Sequence, residues 1–159
     1  MIATAPPVVT QSPRERRRRF ISAYWLRPEN AFWMVLRSDA LERANLRGPM
    51  LDVSCGDGIF SFLHAGGRLE PAFDVFDAVA DVRAGDLKHP DMFDHAPDDY
   101  KPAITHPVDE RIACGTDCKP SMLHKAARLE CYDRLVLHDN NDRLPFEDSE
   151  FQTVYCNAA

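Results

Sequence analysis

A chain of 159 residues, 45% apolar and 28% charged, is long enough for one domain with a real core and too short for two. It has no run of about 18 apolar residues and so no transmembrane helix, and its five cysteines, odd in number and without paired C-x-x-C spacing, fit neither a disulfide framework nor a zinc site and read as reduced thiols. The net charge of −6 is uneven: residues 1–50 hold nine Arg against four acids (+5), residues 51–159 hold ten Lys or Arg against 21 acids (−11), and so acidic a body speaks against a nucleic-acid surface.

The first thirteen residues are small, polar and aperiodic, and read as a disordered leader. Arg14–Arg19 extends it to residues 1–19. Such a run can touch phosphates or acidic lipid, but it also reads as a solvated helix start. Residues 20–47 read as N-terminal helices. Pro28 suits a first helical turn, Glu29 complements the dipole, and apolar positions from Ala31 to Ala44 allow an amphipathic helix ending near Asn45 before Gly48-Pro49.

Residues 48–159 read as the domain proper. From Met50 the chain reads as a short apolar strand that ends in the Asp52 carboxylate, then through Ser54-Cys55-Gly56-Asp57-Gly58 as a tight loop, and at Ile59-Phe60-Ser61-Phe62-Leu63 as an apolar helical face stopped by Gly66-Gly67. Such a turn leaves backbone N–H groups facing a ligand with no Cβ in the way, the arrangement of nucleotide-type cofactor sites; an ordinary strand-to-helix turn looks the same. A dinucleotide fingerprint needs a third glycine where this chain has Ser61.

Five prolines between Pro71 and Pro107 break any long element, so residues 68–110 read as an irregular insertion, with only Phe73–Val82 offering a helix or strand. His89, Asp91, Asp94, His95, Asp98 and Asp99 crowd there in a spacing that matches no metal template, and no metal is expected. Ile112–Asp117 is a buried strand ending in a carboxylate and Pro120–Leu129 a helix. Arg134–His138 is a third strand leading into Asp139-Asn140-Asn141, and Phe151–Cys156 a fourth with Asn157 at its tip. Strands alternating with helices predict an α/β fold, a parallel sheet with right-handed crossovers whose ligands sit at the strands' carboxyl ends.

The segment Asp52–Gly58 resembles the first motif of class I S-adenosylmethionine-dependent methyltransferases. Asp52 takes the acidic place, Gly56 and Gly58 two glycine places, and Ser54 stands where that family usually has its first glycine, with Cys55 between. Ile112–Asp117 is similar to the second motif. The resemblance implies that Asp117 accepts from both ribose hydroxyls, that Asp139 accepts from the adenine amino group with Asn140 at the ring edge and Leu144 and Phe146 nearby, and that Asn157 contacts substrate or the methionine end. It also implies that the N-terminal helices cover the pocket, lined by Tyr24, Trp25 and Arg27. From the residues alone, Asp117 would suit an NAD ribose or a helix N-cap equally well. Phe151-Gln152-Thr153-Val154 lacks the acid common in that family's fourth strand.

The same resemblance implies a Rossmann-like sheet of the class I methyltransferase type, S-adenosylmethionine as cofactor, and methyl transfer to a small-molecule acceptor. Neither the acceptor nor a catalytic base can be read; none of His64, His124 and His138 is assignable. The family fold has seven strands and this chain supplies about four. The expectation is therefore an incomplete sheet, inactive as it stands, whose apolar fourth strand needs a further C-terminal part or an oligomer to cover it. A non-catalytic nucleoside- or partner-binding module and an NAD-dependent oxidoreductase stay open as alternatives. No nucleic-acid or membrane partner is expected, and a cytoplasmic location follows by default.

Overall fold

In the computed structural model, which describes residues 12–76 and 100–157, the apolar runs of the sequence become the strands of a parallel sheet. The elements are α1 (Pro13–Ala23), α2 (Pro28–Ala44), β1 (Met50–Val53), α3 (Ile59–His64), β2 (Arg68–Leu69), β3 (Ile104–His106), β4 (Ile112–Asp117), α4 (Pro120–Ala127), β5 (Tyr132–Leu137) and β6 (Thr153–Cys156). Four of them form a sheet in the order β5-β4-β1-β6, every neighbouring pair parallel. The architecture is α/β and compatible with a Rossmann-like arrangement. The chain steps outward from β1 to β4 to β5, then crosses back to the far side of β1 as β6. The strand order therefore reverses between β1 and β6, the point at whose carboxyl ends parallel sheets of this kind take their ligands.

The leader expected over residues 1–19 is corrected at its C-terminal end: the chain is helical from Pro13. The Ser12 hydroxyl accepts the Glu15 N–H at 3.2 Å, and Pro13 occupies the first turn, where its missing N–H costs nothing. Nor is the basic run uniformly solvated. Positions 16, 19, 20 and 23 share one face of α1, so Arg16 and Arg19 go inward with Phe20 and Ala23. Arg16 pairs with Asp39 at 2.7 Å and Glu42 at 3.2 Å on α2, while Arg19 Nε donates to the Leu63 carbonyl at 3.0 Å. Buried guanidinium groups are tolerated because each finds partners.

α2 ends at Asn45, which takes the left-handed conformation at φ 50°, so an asparagine cap stops it ahead of Gly48-Pro49. The passage expected to be irregular over 68–110 contains a short antiparallel ribbon, with Leu69 opposite Ile104 and Arg68 opposite His106. Of the Phe73–Val82 stretch, residues 73–76 form neither helix nor strand. The remainder, and the cluster from His89 to Asp99, lie outside the described residues. Asp74 is buried and accepts the Phe76 N–H at 2.7 Å and the Leu26 N–H at 2.9 Å, pinning this turn to the α1–α2 junction. The core is built from Phe20, Leu51, Ile59, Phe62, Leu63 and Leu129. Among the described residues no helix is long and apolar enough to cross a membrane.

Candidate functional site

β1 is the central element: it pairs with β4 on one side and β6 on the other, so the loop after it emerges between two strand tips. That loop is shaped by three left-handed residues at alternate positions, Ser54 (φ 57°), Gly56 (φ 59°) and Gly58 (φ 76°). At Gly58 the backbone also lies close to α4 and β5. A Cβ there would stand 3.1 Å from Ala126 Cβ and 3.2 Å from the Tyr132 ring. Gly58→Ala is therefore expected to destabilise the fold by about 1–2 kcal/mol from the left-handed conformation, with crowding against Ala126 adding to it. The urea midpoint of the purified variant checks this.

The loop amides are not left open to a ligand as the sequence suggested. Cys55 N–H donates to the Thr116 carbonyl (2.8 Å), Gly56 N–H to Asp117 Oδ2 (3.0 Å), Gly58 N–H to the Cys55 carbonyl (3.1 Å) and Ile59 N–H to Asp57 Oδ1 (3.0 Å). A turn this tight satisfies its own donors because burial would leave any orphan unpaired.

Asp52 lies beneath the loop, 1% exposed. Its Oδ2 accepts from the Ser61 hydroxyl at 2.5 Å and from the Tyr132 hydroxyl at 2.7 Å, and Ser61 Oγ lies 3.1 Å from the Tyr155 hydroxyl. Gly115, in register with Asp52, makes this possible: a Cβ there would stand 2.9 Å from Tyr132 Cε1, so the missing side chain is the notch through which the ring reaches the carboxylate. Burial pushes the Asp52 carboxyl above the usual carboxylate range, opposed by the hydrogen bonds from Ser61, Tyr132 and Tyr155. Ser61, read from sequence only as a missing glycine, is thus a structural partner, and Tyr132 and Tyr155 went unnoticed. The signal that points to them is a carboxylate inside an apolar strand, which must find donors.

A raised folded-state value means that Asp52 contributes stability which is fully present below the unfolded carboxyl value, about 3.9, and is lost as pH rises through the folded value. The amide of Asp52→Asn does not titrate. The variant's deficit relative to the parent chain should therefore be largest near pH 4 and shrink as pH rises. Paired urea titrations from pH 4 to 8 check this, and a deficit that grows with pH refutes it.

Asp117, at the tip of β4 and 8% exposed, is shared between two backbone donors: Oδ2 takes the Gly56 N–H and Oδ1 the Lys119 N–H at 2.9 Å. Each oxygen keeps a second lone pair. The β5 tip folds back onto it, with His138 N–H donating to the Asp117 carbonyl at 3.0 Å. Beyond that turn the Asn140 amide donates to the Ser54 hydroxyl, bridging from β5 across β4 to the β1 loop. Asp139 is exposed, its Oδ1 accepting from the backbone and side-chain amides of Asn141 at 2.9 and 2.8 Å.

Two hydrogen-bonded pairs, Gly56 with Asp117 and Asn140 with Ser54, thus meet on the one β1 loop, with Asp139 next to Asn140 in the chain. Asn157 follows β6 on the far side of β1 and, among the described residues, makes no hydrogen bond to these groups. Cys55 belongs to the core: its thiol is buried and burial pushes its pKa up, so it packs as a neutral group. Of the three aromatic-helix residues expected at a pocket, Tyr24 is buried against the Phe76 ring and Arg27 stacks on that ring at 4.7 Å, while Trp25 points to a groove elsewhere. Phe146 packs edge-on against Phe151 at 5.1 Å, under Arg134. His64 bonds the Ser38 hydroxyl at 2.8 Å, and burial holds it down to about 4, which makes it a neutral structural group. Among the described residues no cluster of three His, Cys, Asp or Glu could hold a metal ion.

Compared with protein-family models, curated proteins and solved structures, the chain finds no match, so any function is argued from the site itself.

Proposed function

We propose that the chain is an S-adenosylmethionine-dependent methyltransferase of the class I type, acting on a small-molecule acceptor. The observation that carries this reading is the convergence of Asp117 and Asn140 by hydrogen bonds on the β1 loop, beside the point where strand order reverses, the position at which parallel sheets of this kind take nucleoside ligands. The strand order β5-β4-β1-β6 and the lone carboxylate at the β4 tip favour the same reading.

The state of the loop amides separates the candidate cofactors. A pyrophosphate takes several backbone N–H donors at a helix start. Here those of Cys55, Gly56, Gly58 and Ile59 already have partners, and α3 has only six residues. The loop offers close approach without anion capture, which suits a nucleoside that carries no phosphate.

On this reading the spare lone pairs of Asp117 receive the vicinal ribose hydroxyls, Asp139 and Asn140 face the adenine edge, and Asn157 approaches from the opposite strand tip. When bound, the cofactor supplies an electrophilic methyl group on a sulfonium centre. The residues of the chain then have mainly to hold two reactants in line, a contribution of orientation and desolvation that needs no covalent participation.

Calorimetric titration of the 159-residue chain with S-adenosylmethionine, S-adenosylhomocysteine and NAD tests the proposal, alongside a radiolabelled methyl-transfer assay on small-molecule acceptors. Binding of both adenosyl compounds is the expected result, and transfer to an acceptor would show that the four-strand sheet is active as it stands. Binding without transfer leaves a non-catalytic nucleoside-binding module, and binding of NAD with no response to either adenosyl compound overturns the proposal.

A further inference from the structure

α1 and α2 run antiparallel. Their inner faces bury Phe20, Ala23, Tyr24 and Ala31 against the body, and their outer faces form a trough of about 520 Å³. Its walls are Ile21 from α1 and Trp25 from the turn after it, with Phe32, Val35 and Leu36 from α2, over a floor that includes Ala31. Ile21, Trp25, Phe32 and Leu36 expose 56%, 51%, 58% and 42% of their surface. A contiguous patch of large apolar side chains at this level of exposure marks an interaction surface.

We propose that this trough docks an amphipathic helix of a partner protein, apolar on the face that enters and acidic along its flank. Shape is the first argument. Two antiparallel helices with apolar residues at i, i+4 spacing leave a furrow that takes a third helix at the usual interaxial distance, presenting anchors at i, i+3, i+4 and i+7. A planar bilayer would meet the rims and leave Ala31 and Val35 uncovered.

Charge is the second argument. Arg14, Arg17 and Arg18 stand exposed where α1 begins, and the first 50 residues carry a net +5. Arg17 is paired with Asp39 at 3.2 Å, whereas Arg14 and Arg18 form no ion pair among the described residues. An acidic flank would supply the missing partners. A second copy joined by a two-fold axis would instead set this basic helix beside its own image. The groove shares no residue with the strand-tip site, so the inference stands independently of the proposed activity.

The test uses the full chain and a synthetic helical peptide that lacks tryptophan, with Leu at i, i+3, i+4 and i+7 and Glu on both flanks. Two controls accompany it, one with Lys for every Glu and one with Ser for every Leu. Trp25 and Trp33 report binding by fluorescence. The Glu peptide is expected to bind and to shift emission to shorter wavelength, and the Lys peptide to bind about tenfold more weakly. Phe32→Glu and Ile21→Glu, both at exposed positions, should each lower affinity by about tenfold or more, with circular dichroism confirming an unchanged fold. The double variant Arg14→Glu, Arg18→Glu should reverse the preference toward the Lys peptide.

Equal binding of the Glu and Lys peptides, or affinity unaffected by Phe32→Glu, overturns the proposal. So does sedimentation showing a dimer that Phe32→Glu dissolves, which assigns the groove to a second copy. Flotation with phosphatidylserine vesicles abolished by the same variant, without peptide binding, assigns it to lipid.

Discussion

Replacing Phe62 with alanine is expected to remove about 3–5 kcal/mol of folding stability, a large share of the roughly 5–15 kcal/mol typical of a domain. The ring is fully buried and lies so close to Gly67 that a Cβ on that glycine would stand 2.4 Å from its Cζ. Backbone on one side and core side chains on the other leave little room to collapse around the lost ring, so most of the cavity persists. The carrier of this residue makes the effect larger. α3 has six residues, too few to be stable alone, and is held by the apolar faces of Ile59, Phe60, Phe62 and Leu63. The urea midpoint should fall with an unchanged slope, and Phe62→Leu should cost less. A loss within about 1 kcal/mol for the alanine variant would show that the site repacks freely.

Asp117→Ala should have the largest effect on ligand binding. The carboxylate anchors the Gly56 and Lys119 amides and, on the proposed reading, also holds the ribose diol. Losing hydrogen bonds to a charged acceptor costs about 1.5–3 kcal/mol, which converts to roughly a 10- to 150-fold weaker affinity for S-adenosylmethionine. Stability should fall as well, by about 1–3 kcal/mol, since two half-buried amides lose their partner. Asp117→Asn keeps one acceptor oxygen and should fall between alanine and the parent chain in both measurements. Calorimetry and urea titration on the same preparations separate the two roles. A variant that is destabilised but binds normally when folded would make Asp117 a loop anchor alone.

Much of the sheet was legible in the sequence because its strands are short apolar runs, and two of them, β1 and β4, lead into helix-start signals. Ile112–Asp117 reads directly as β4, and Pro120 marks the first turn of α4. Boundaries shifted where side chains of mixed character sit at the ends: β5 begins at Tyr132, ahead of the apolar run of Leu135–Leu137 that makes it visible. The β2–β3 ribbon escaped because two or three residues carry no period to read, and its pairing joins positions 69 and 104, far apart in the chain. A helix start at Arg14–Arg19 was legible, but as a solvated one; the burial of Arg16 and Arg19 was not. What turns that run into structure is Asp39 and Glu42 on α2, which the local sequence does not reveal.

For the candidate site, the sequence by itself determined which residue types stand at the strand tips: a small-residue loop after β1, a carboxylate after β4, an Asp-Asn pair after β5. Those follow from local pattern, because a strand's end and a helix's start are written in neighbouring residues. Only the tertiary structure decided how they are used. It turned Asp52 inward to Ser61 and Tyr132, closed the loop amides on partners such as Asp117, and carried Asn140 across β4 to Ser54. It also set Trp25 in a groove on the outer face of the N-terminal helices. The physical reason is the same in each case. A buried polar group takes whichever partner the fold brings within hydrogen-bond reach, and the positions that meet, 52 with 132, 56 with 117 and 54 with 140, are brought together only by the parallel crossovers of the sheet.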